Sequence, residues 1–379
     1  MKVTCSMTSS KKQNFTWRNK HPYWLIIFLI ILGTGFPHIS SYAQAPFIPG
    51  EPPIAPQPGQ TAQLSRPAPA FLDAESVTFL PLIQIPSGFA VYPQNRAASL
   101  TFYQGHYLIS DPPSIEWTGS QDPCDPGQTS PEFRAEILRR INFFRSMAGL
   151  PNEVTFSEVS YQNAQAAALI MSANSSLSHD PPTSWNCYSD AGHSGAGSAN
   201  LALGWYGWDV IDGYMKDPGD GNYAVGHRRW ILYPQTRAMG SGDIPPGNSY
   251  PASNALVVFD SHMWEPRPAT REEYVAWPPP GYVPYNVIYG RWSFSYPGAN
   301  FNNALVRMTS EGRQISVVQS PTVSGYGENT LVWIPDGRAN GETWPQPARD
   351  TAYTVAILNV LINGSPRSFT YTVIIFDPE

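Results

Sequence analysis

Lysine is nearly absent from this 379-residue chain: four lie in its first 20 residues, and Lys216 stands alone in the rest. Cations of both kinds are scarce, 23 Lys and Arg against 29 Asp and Glu. Without the first 45 residues, which hold five of those cations and no acid, the net charge moves from −6 to about −11. Distributed negative charge without a basic patch excludes nucleic acid and anionic membrane as partners, because phosphate binding needs clustered Lys and Arg. Cysteine is equally rare. Cys5 falls in the early segment, leaving Cys124 and Cys187. Two cysteines cannot build a structural zinc site unaided. In an exported chain an even pair suggests one disulfide, the alternative being two buried thiols. Long apolar runs are missing too. Tyr23 to Gly33 is apolar over 11 residues, short of the roughly 20 needed to span a bilayer, and no later segment comes nearer.

That short run follows a basic stretch (Lys2, Lys11, Lys12, Arg18, Lys20) and leads to Ala43-Gln44-Ala45, small residues flanking a cleavage point. Residues 1–45 therefore read as a secretory signal peptide, with an uncleaved N-terminal anchor as the alternative. The expected location is secreted, periplasmic or at the cell surface. Residues 46–69 are dense in proline and read as an extended linker. In residues 70–125, "SVTFLPLIQI" and "ASLTFYQGHYLIS" look strand-like and suggest a β-rich leader.

Residues 126–262 read as helices first and strands later. Ser130, Pro131 and Glu132 form a helix start, Phe133, Ile137, Ile141 and Phe144 recur at helical spacing, and Gly149 closes the segment. Thr155 to Ala173 predicts a second helix, rich in alanine and so able to approach a neighbour closely. Trp208 to Asp217 predicts a third, and "ALVVFD" a strand. From 274 to 379 the period falls to two, in six or seven runs broken by Gly, Pro, Asn and Asp. That pattern predicts an antiparallel β-sandwich of immunoglobulin type without an internal disulfide.

Three segments carry a resemblance: "SLSHDPPTSWNC" (176–187), "SANLALG" (198–204) and "NYAVGHRRWILYP" (222–234). Together, and in this order, they resemble the bacterial branch of the CAP superfamily, whose domain is also called SCP and which includes cysteine-rich secretory, antigen 5 and pathogenesis-related proteins. The β-rich end resembles modules found behind such domains in bacteria. The resemblance implies an α+β chain: a three-layer α-β-α sandwich followed by an all-β immunoglobulin-like sandwich. It further implies a cleft with two histidines and two carboxylates. His179 and His227 fall at the histidine positions, and Asp217 falls where many members have glutamate. The remaining carboxylate position, before Asn200-Leu201, holds Ala199.

Two imidazoles and one carboxylate facing a cavity have three possible uses. They can hold zinc with a position open for water, act as an acid/base pair with Asp217 fixing one tautomer, or form either a hydrogen-bonded structural cluster holding helix end to sheet edge or a non-catalytic binding site. The missing carboxylate and the absence of an HExxH spacing favour the last. The leading expectation is a binding or interaction protein whose partner is an extracellular small molecule, peptide or cell-surface polymer. A zinc-dependent hydrolase using His179, Asp217 and His227 is the second reading, and polysaccharide binding through the β-sandwich the third. Arg228 and Arg229 are expected to diverge as strand neighbours do, one pairing with Asp212 or Asp220 and the other exposed. "AGHSGAG" (191–197) lacks the strand and final glycine of a nucleophile elbow and reads as a flexible loop, from which His193 could reach the cleft.

The export reading predicts that intact-mass spectrometry of protein recovered outside the cytoplasm finds residues 1–45 removed. Retention of Met1 contradicts it.

Overall fold

A computed structural model describes residues 91–151, 154–247 and 249–379. The expected signal peptide, the linker and residues 70–90 of the leader lie outside the described residues. The rest of the leader corrects the expectation of strands. Arg96–His106 is a helix, α1, whose first turn is capped by the Asn95 side chain accepting from the Ala98 N–H. Ser99, Phe102 and Tyr103 are buried at spacings of three and one, a helical stripe that the β-branched look of the run conceals.

Helix α2, Pro131–Met147, begins as its sequence demands. Ser130 Oγ accepts from the Phe133 N–H, Pro131 occupies the first turn, and Phe133, Ile137, Ile141 and Phe144 are buried. Gly149, at φ +76°, ends the segment in the left-handed region that favours glycine. Thr155–Phe156 is a short strand, β1, rather than the start of the next helix; Ser157 caps α3, Glu158–Asn174. Then come α4 (Asp190–Gly197), β2 (Ala199–Leu203), α5 (Trp208–Lys216), α6 (Gly226–Ile231), β3 (Ala238–Ile244) and β4 (Ser253–Val257). The strands form one sheet in the order β1-β3-β4-β2, parallel only at β1–β3.

The "AGHSGAG" loop is thus a helix. Ser189 caps it, and Gly192 and Gly195 let it lie against α3, since a Cβ at Gly195 would overlap the Asn163 carbonyl. Gly242 on β3 does the same beneath Ala164, so α3 rests on the sheet at van der Waals distance. Ala255 and Val257 of β4 join α3 and α4 in one apolar cluster, while Leu256 faces the cluster built by α2 and α5. The sheet is packed on both sides, with buried Ser241, Asp243 and Asn254 hydrogen-bonded to one another among the apolar residues. Cys124 and Cys187 are joined in a disulfide, with Cα atoms 5.2 Å apart.

The β-rich part holds ten strands: β5 (Val275–Trp277), β6 (Gly281–Pro284), β7 (Trp292–Ser295), β8 (Ala299–Asn300), β9 (Leu305–Ser310), β10 (Arg313–Ile315), β11 (Val317–Gln319), β12 (Thr330–Pro335), β13 (Thr351–Ile362) and β14 (Ser365–Phe376). One sheet runs β11-β12-β7-β5 and the other β10-β9-β13-β14-β6, with β8 also on β13. Two expectations need correction. The pairing is not wholly antiparallel, because β6 joins β14 in parallel. The single run "QISVVQS" is divided at Ser316, its halves β10 and β11 entering different sheets.

Trp277, Trp292 and Trp333 are fully buried between these strands, and their cluster is continuous with that of α2: the Phe144 and Trp277 rings lie 5.1 Å apart, edge to face. The described residues all fall in one compact unit. Among the described residues no helix is long and apolar enough to cross a membrane.

Buried polar clasps reinforce this continuity. Asp212 accepts hydrogen bonds from Tyr107 (3.0 Å), Tyr289 (3.2 Å) and Arg140, joining α1, α2 and α5 to the β-rich part. Burial pushes its carboxyl up to about 6, against the opposing pull of Arg140. Arg145, wholly buried, donates to the carbonyls of Pro151, Ile231, Tyr233 and Thr236, and burial lowers its guanidinium to about 9. Arg228 donates to the Met215 and Arg291 carbonyls and to Ser293 Oγ. Calorimetry of the mature chain should therefore give one unfolding transition. Arg228→Met, which strands those acceptors, should cost about 3 kcal/mol and lower the midpoint by several degrees. Two separate transitions, or an unchanged midpoint, contradict the shared core.

Candidate functional site

The loop after α3 and the first turn of α6 bring His179 and His227 to one hollow of about 340 Å³. His179 Nδ1 lies 2.9 Å from the Ala196 carbonyl. A carbonyl only accepts, so Nδ1 carries a proton, and in the neutral ring the lone pair is on Nε2. His227 Nδ1 lies 2.8 Å from Asp217 Oδ1, and Asp217 Oδ2 accepts the His227 backbone N–H at 3.1 Å. Asp217 ends α5 in a left-handed conformation, φ +53°, and is 1% exposed. The Tyr214 ring stacks on the other side of the imidazole, centroids 5.2 Å apart, and Asn200 Nδ2 donates to the His227 carbonyl at 3.1 Å. The ring of His227 is thus fixed by a carboxylate, an aromatic face and its own backbone.

The expected triad is split by this arrangement. Both histidines line the hollow, but Asp217 sits behind His227 with each oxygen committed to that residue. Ala199 lines the hollow and adds no donor. Among the described residues no three His, Cys, Asp or Glu side chains converge closely enough to hold a metal ion. His193 does not line the hollow: its Nε2 pairs with Asp180 Oδ1 at 2.8 Å on the exposed side of α4. Ser198 also lines the hollow, its Oγ donating to the carbonyls of Ser194 and Gly195 rather than to either imidazole.

Arg228 and Arg229 also depart from expectation. They follow His227 on a helix, not a strand, and both are buried. Neither takes Asp212, which belongs to Arg140, or Asp220, which accepts from Asn340. Their guanidiniums reach backbone oxygens of the β-rich part instead. Arg229 donates to the Val323 and Glu328 carbonyls, both at 2.9 Å, and its guanidinium sits 5.4 Å from the Tyr326 ring. Burial lowers both arginines to about 10, so both stay charged at neutral pH. Arg291 answers from the other side, donating to the carbonyls of Asp217 and Gly219. By pinning residues 323–328, Arg229 sets Tyr326 over Gly226 and makes it a wall of the hollow. Trp230 and Phe259, edge to face at 4.5 Å, form the wall opposite the polar residues. Sequence reasoning missed Tyr326, Phe259 and Trp230 as site residues. The one local signal was the Gly325-Tyr326-Gly327 triplet, whose glycines have φ +96° and +61°.

With this geometry in hand, residues 138–257 match the family model CAP, cysteine-rich secretory protein family, which supports a CAP domain in that stretch. The match includes His179, Ala199, Asp217 and His227. No curated protein matches the chain. Among solved structures it is similar to selenomethionine PcoC, a copper resistance protein from Escherichia coli, at 14% identity and a TM-score of 0.21, covering 28% of this chain and 99% of that one. A likeness that low carries no inference.

Nitrogen-detected NMR at alkaline pH should find His227 protonated at Nδ1 in the wild type. Asp217→Ala should move a large share of the population to the Nε2–H form. An unchanged tautomer balance contradicts the orienting role of Asp217.

Proposed function

We propose that this chain is an exported CAP-type binding protein whose hollow receives a ligand without transforming it. Under this reading the helices on either side of the first sheet make the three-layer arrangement, the two later sheets make the immunoglobulin-like sandwich, and the signal segment sends the chain out of the cytoplasm. The disulfide and the lack of a long apolar helix among the described residues fit that destination.

The observation that carries the reading is how the hydrogen bonds of the two imidazoles are committed. Each has its Nδ1 proton held by an oxygen, from Ala196 or Asp217, so each neutral ring has Nε2 as its acceptor. No hydroxyl or thiol among the described residues is hydrogen-bonded to either ring, so there is no base-activated nucleophile of the kind acyl transfer uses. A resident zinc does not fit the residues present. Zinc in a catalytic site takes three protein ligands and a water, and this hollow supplies two, because Asp217 is held behind His227 and Ala199 has no donor atom. This donor set supports no hydrolytic step through such a metal.

The mature chain, residues 46–379, tests the reading in two ways. Fluorogenic peptides and p-nitrophenyl esters, with and without added zinc, should be turned over no faster than by His227→Ala; turnover lost in that variant contradicts a binding role. The imidazole proton resonances of His179 and His227 should shift on addition of a pool of short peptides and oligosaccharides. Resonances that respond to neither contradict the hollow as a binding site.

A further inference from the structure

We infer that the hollow is one half of a longer groove, and that its ligand is a neutral, hydroxyl-rich chain: an uncharged polysaccharide. This rests on the binding reading above and names the ligand class for that site.

The continuity comes from shared walls. A second hollow, of about 300 Å³, lies between β2 and α5, and His227 and Asn222 line it as well as the first. Each volume falls at the lower end of the roughly 300–1,000 Å³ typical of ligand sites. Meeting at these two side chains, they offer an elongated track rather than a closed pocket.

Charge narrows the ligand. Among the described residues no Asp, Glu, Lys or Arg lines the first hollow, on a chain whose net charge is −6. The second has one cation, Lys216, whose ammonium sits 5.6 Å from the Tyr289 ring, while Asp217 is buried with its carboxylate on His227. One lysine is little counter-charge for a polymer with an anion on every unit, and a cationic polymer finds no exposed carboxylate in either hollow. Hydrogen bonding narrows it further. The amide nitrogens of Asn200 and Asn222 are committed to the His227 and Pro218 carbonyls. Each amide nitrogen keeps a second N–H, so the polar wall offers two donors beside its acceptors, two side-chain amide oxygens and, in the neutral rings, two imidazole Nε2 atoms. Mixed donors and acceptors call for groups that do both, and hydroxyl groups donate and accept without charge.

Aromatic faces stand at both ends of the track. Trp205, 51% exposed, flanks the second hollow, while Tyr326 at 40% and Phe259 at 36% flank the first. Exposed apolar side chains gathered along a groove, unlike those scattered singly, mark a binding surface. A flat ring presents a stacking surface to the apolar C–H face of a sugar ring, while the sugar's hydroxyl edge reaches the polar wall. A peptide fits less well. Tyr214 OH donates to the Asn200 carbonyl at 3.1 Å, which blocks the open edge of β2 against an added strand.

Calorimetric titration of the mature chain with cellohexaose, chitohexaose and maltohexaose tests this, with hexagalacturonate and a neutral Gly-Ser hexapeptide alongside. At least one neutral hexasaccharide should bind saturably, and more tightly than its dimer. Trp205→Ala and Tyr326→Ala, confirmed folded by circular dichroism, should each weaken binding about tenfold. Trp264→Ala, at an exposed position off both hollows, should leave it unchanged. Three silent neutral hexasaccharides, or equal or tighter binding of hexagalacturonate or the peptide, overturn the inference. If the His179 and His227 resonances then still respond to the peptide pool, the binding reading survives; if they respond to nothing, both fall.

Discussion

Two adjacent guanidiniums hold this molecule's functional region together. Arg228 and Arg229 leave the same turn of α6 and end on backbone oxygens of the β-rich part, at Arg291 in one case and at Val323 and Glu328 in the other. Hydrogen bonds to charged groups contribute roughly 1.5–3 kcal/mol each, and burying such a group unmatched costs more than that. Neither arginine can move without taking a charged donor away from these carbonyls. His227 is the preceding residue, and Tyr326 lies inside the segment that Arg229 pins. The position of an imidazole and the position of the aromatic wall above it are consequently one structural fact. In a chain so poor in cations, placing two of them inside the protein marks where the two halves must not slip.

From that anchor the chemistry of the hollow follows. Asp217 is held by its position at the end of α5 and by Arg291 on its own carbonyl, and it turns its carboxylate to His227 alone. Where a fourth polar residue would complete a reactive set, Ala199 leaves a methyl group. The result is a hollow lined by no Asp, Glu, Lys or Arg among the described residues and bordered by aromatic rings, which the proposed binding role would use for recognition by contact and hydrogen bonding.

Legibility in the sequence followed interaction range. The start of α2 was readable because Ser130, Pro131 and Glu132 act within one turn, and the long strands β13 and β14 were readable from their own alternation. Elements set by distant partners were not. The glycines of "AGHSGAG" suggested a loop because their purpose, contact with Asn163 and Ala166 on α3, lies elsewhere in the chain. The run containing α1 carries enough Thr, Tyr, Ile and Leu to resemble a strand, and only the Asn95 cap and burial against α2 decide for a helix. Arg228 and Arg229 invited carboxylate partners by charge, yet they donate to backbone carbonyls 13 to 99 residues away and to the Ser293 hydroxyl, which no charge count reveals. Both histidines that line the hollow had been marked by the resemblance alone; Tyr326 was not, because it comes from the other half.

The contact between those halves at the hollow is the most direct thing to measure. In protein labelled selectively at glycine and tyrosine, a nuclear Overhauser effect should connect the α-protons of Gly226 with the ring protons of Tyr326, as their close approach requires. Its presence is what a composite hollow predicts. Its absence, with both residues assigned and ordered, would mean that the β-rich part does not wall the site and that the two histidines open to solvent alone.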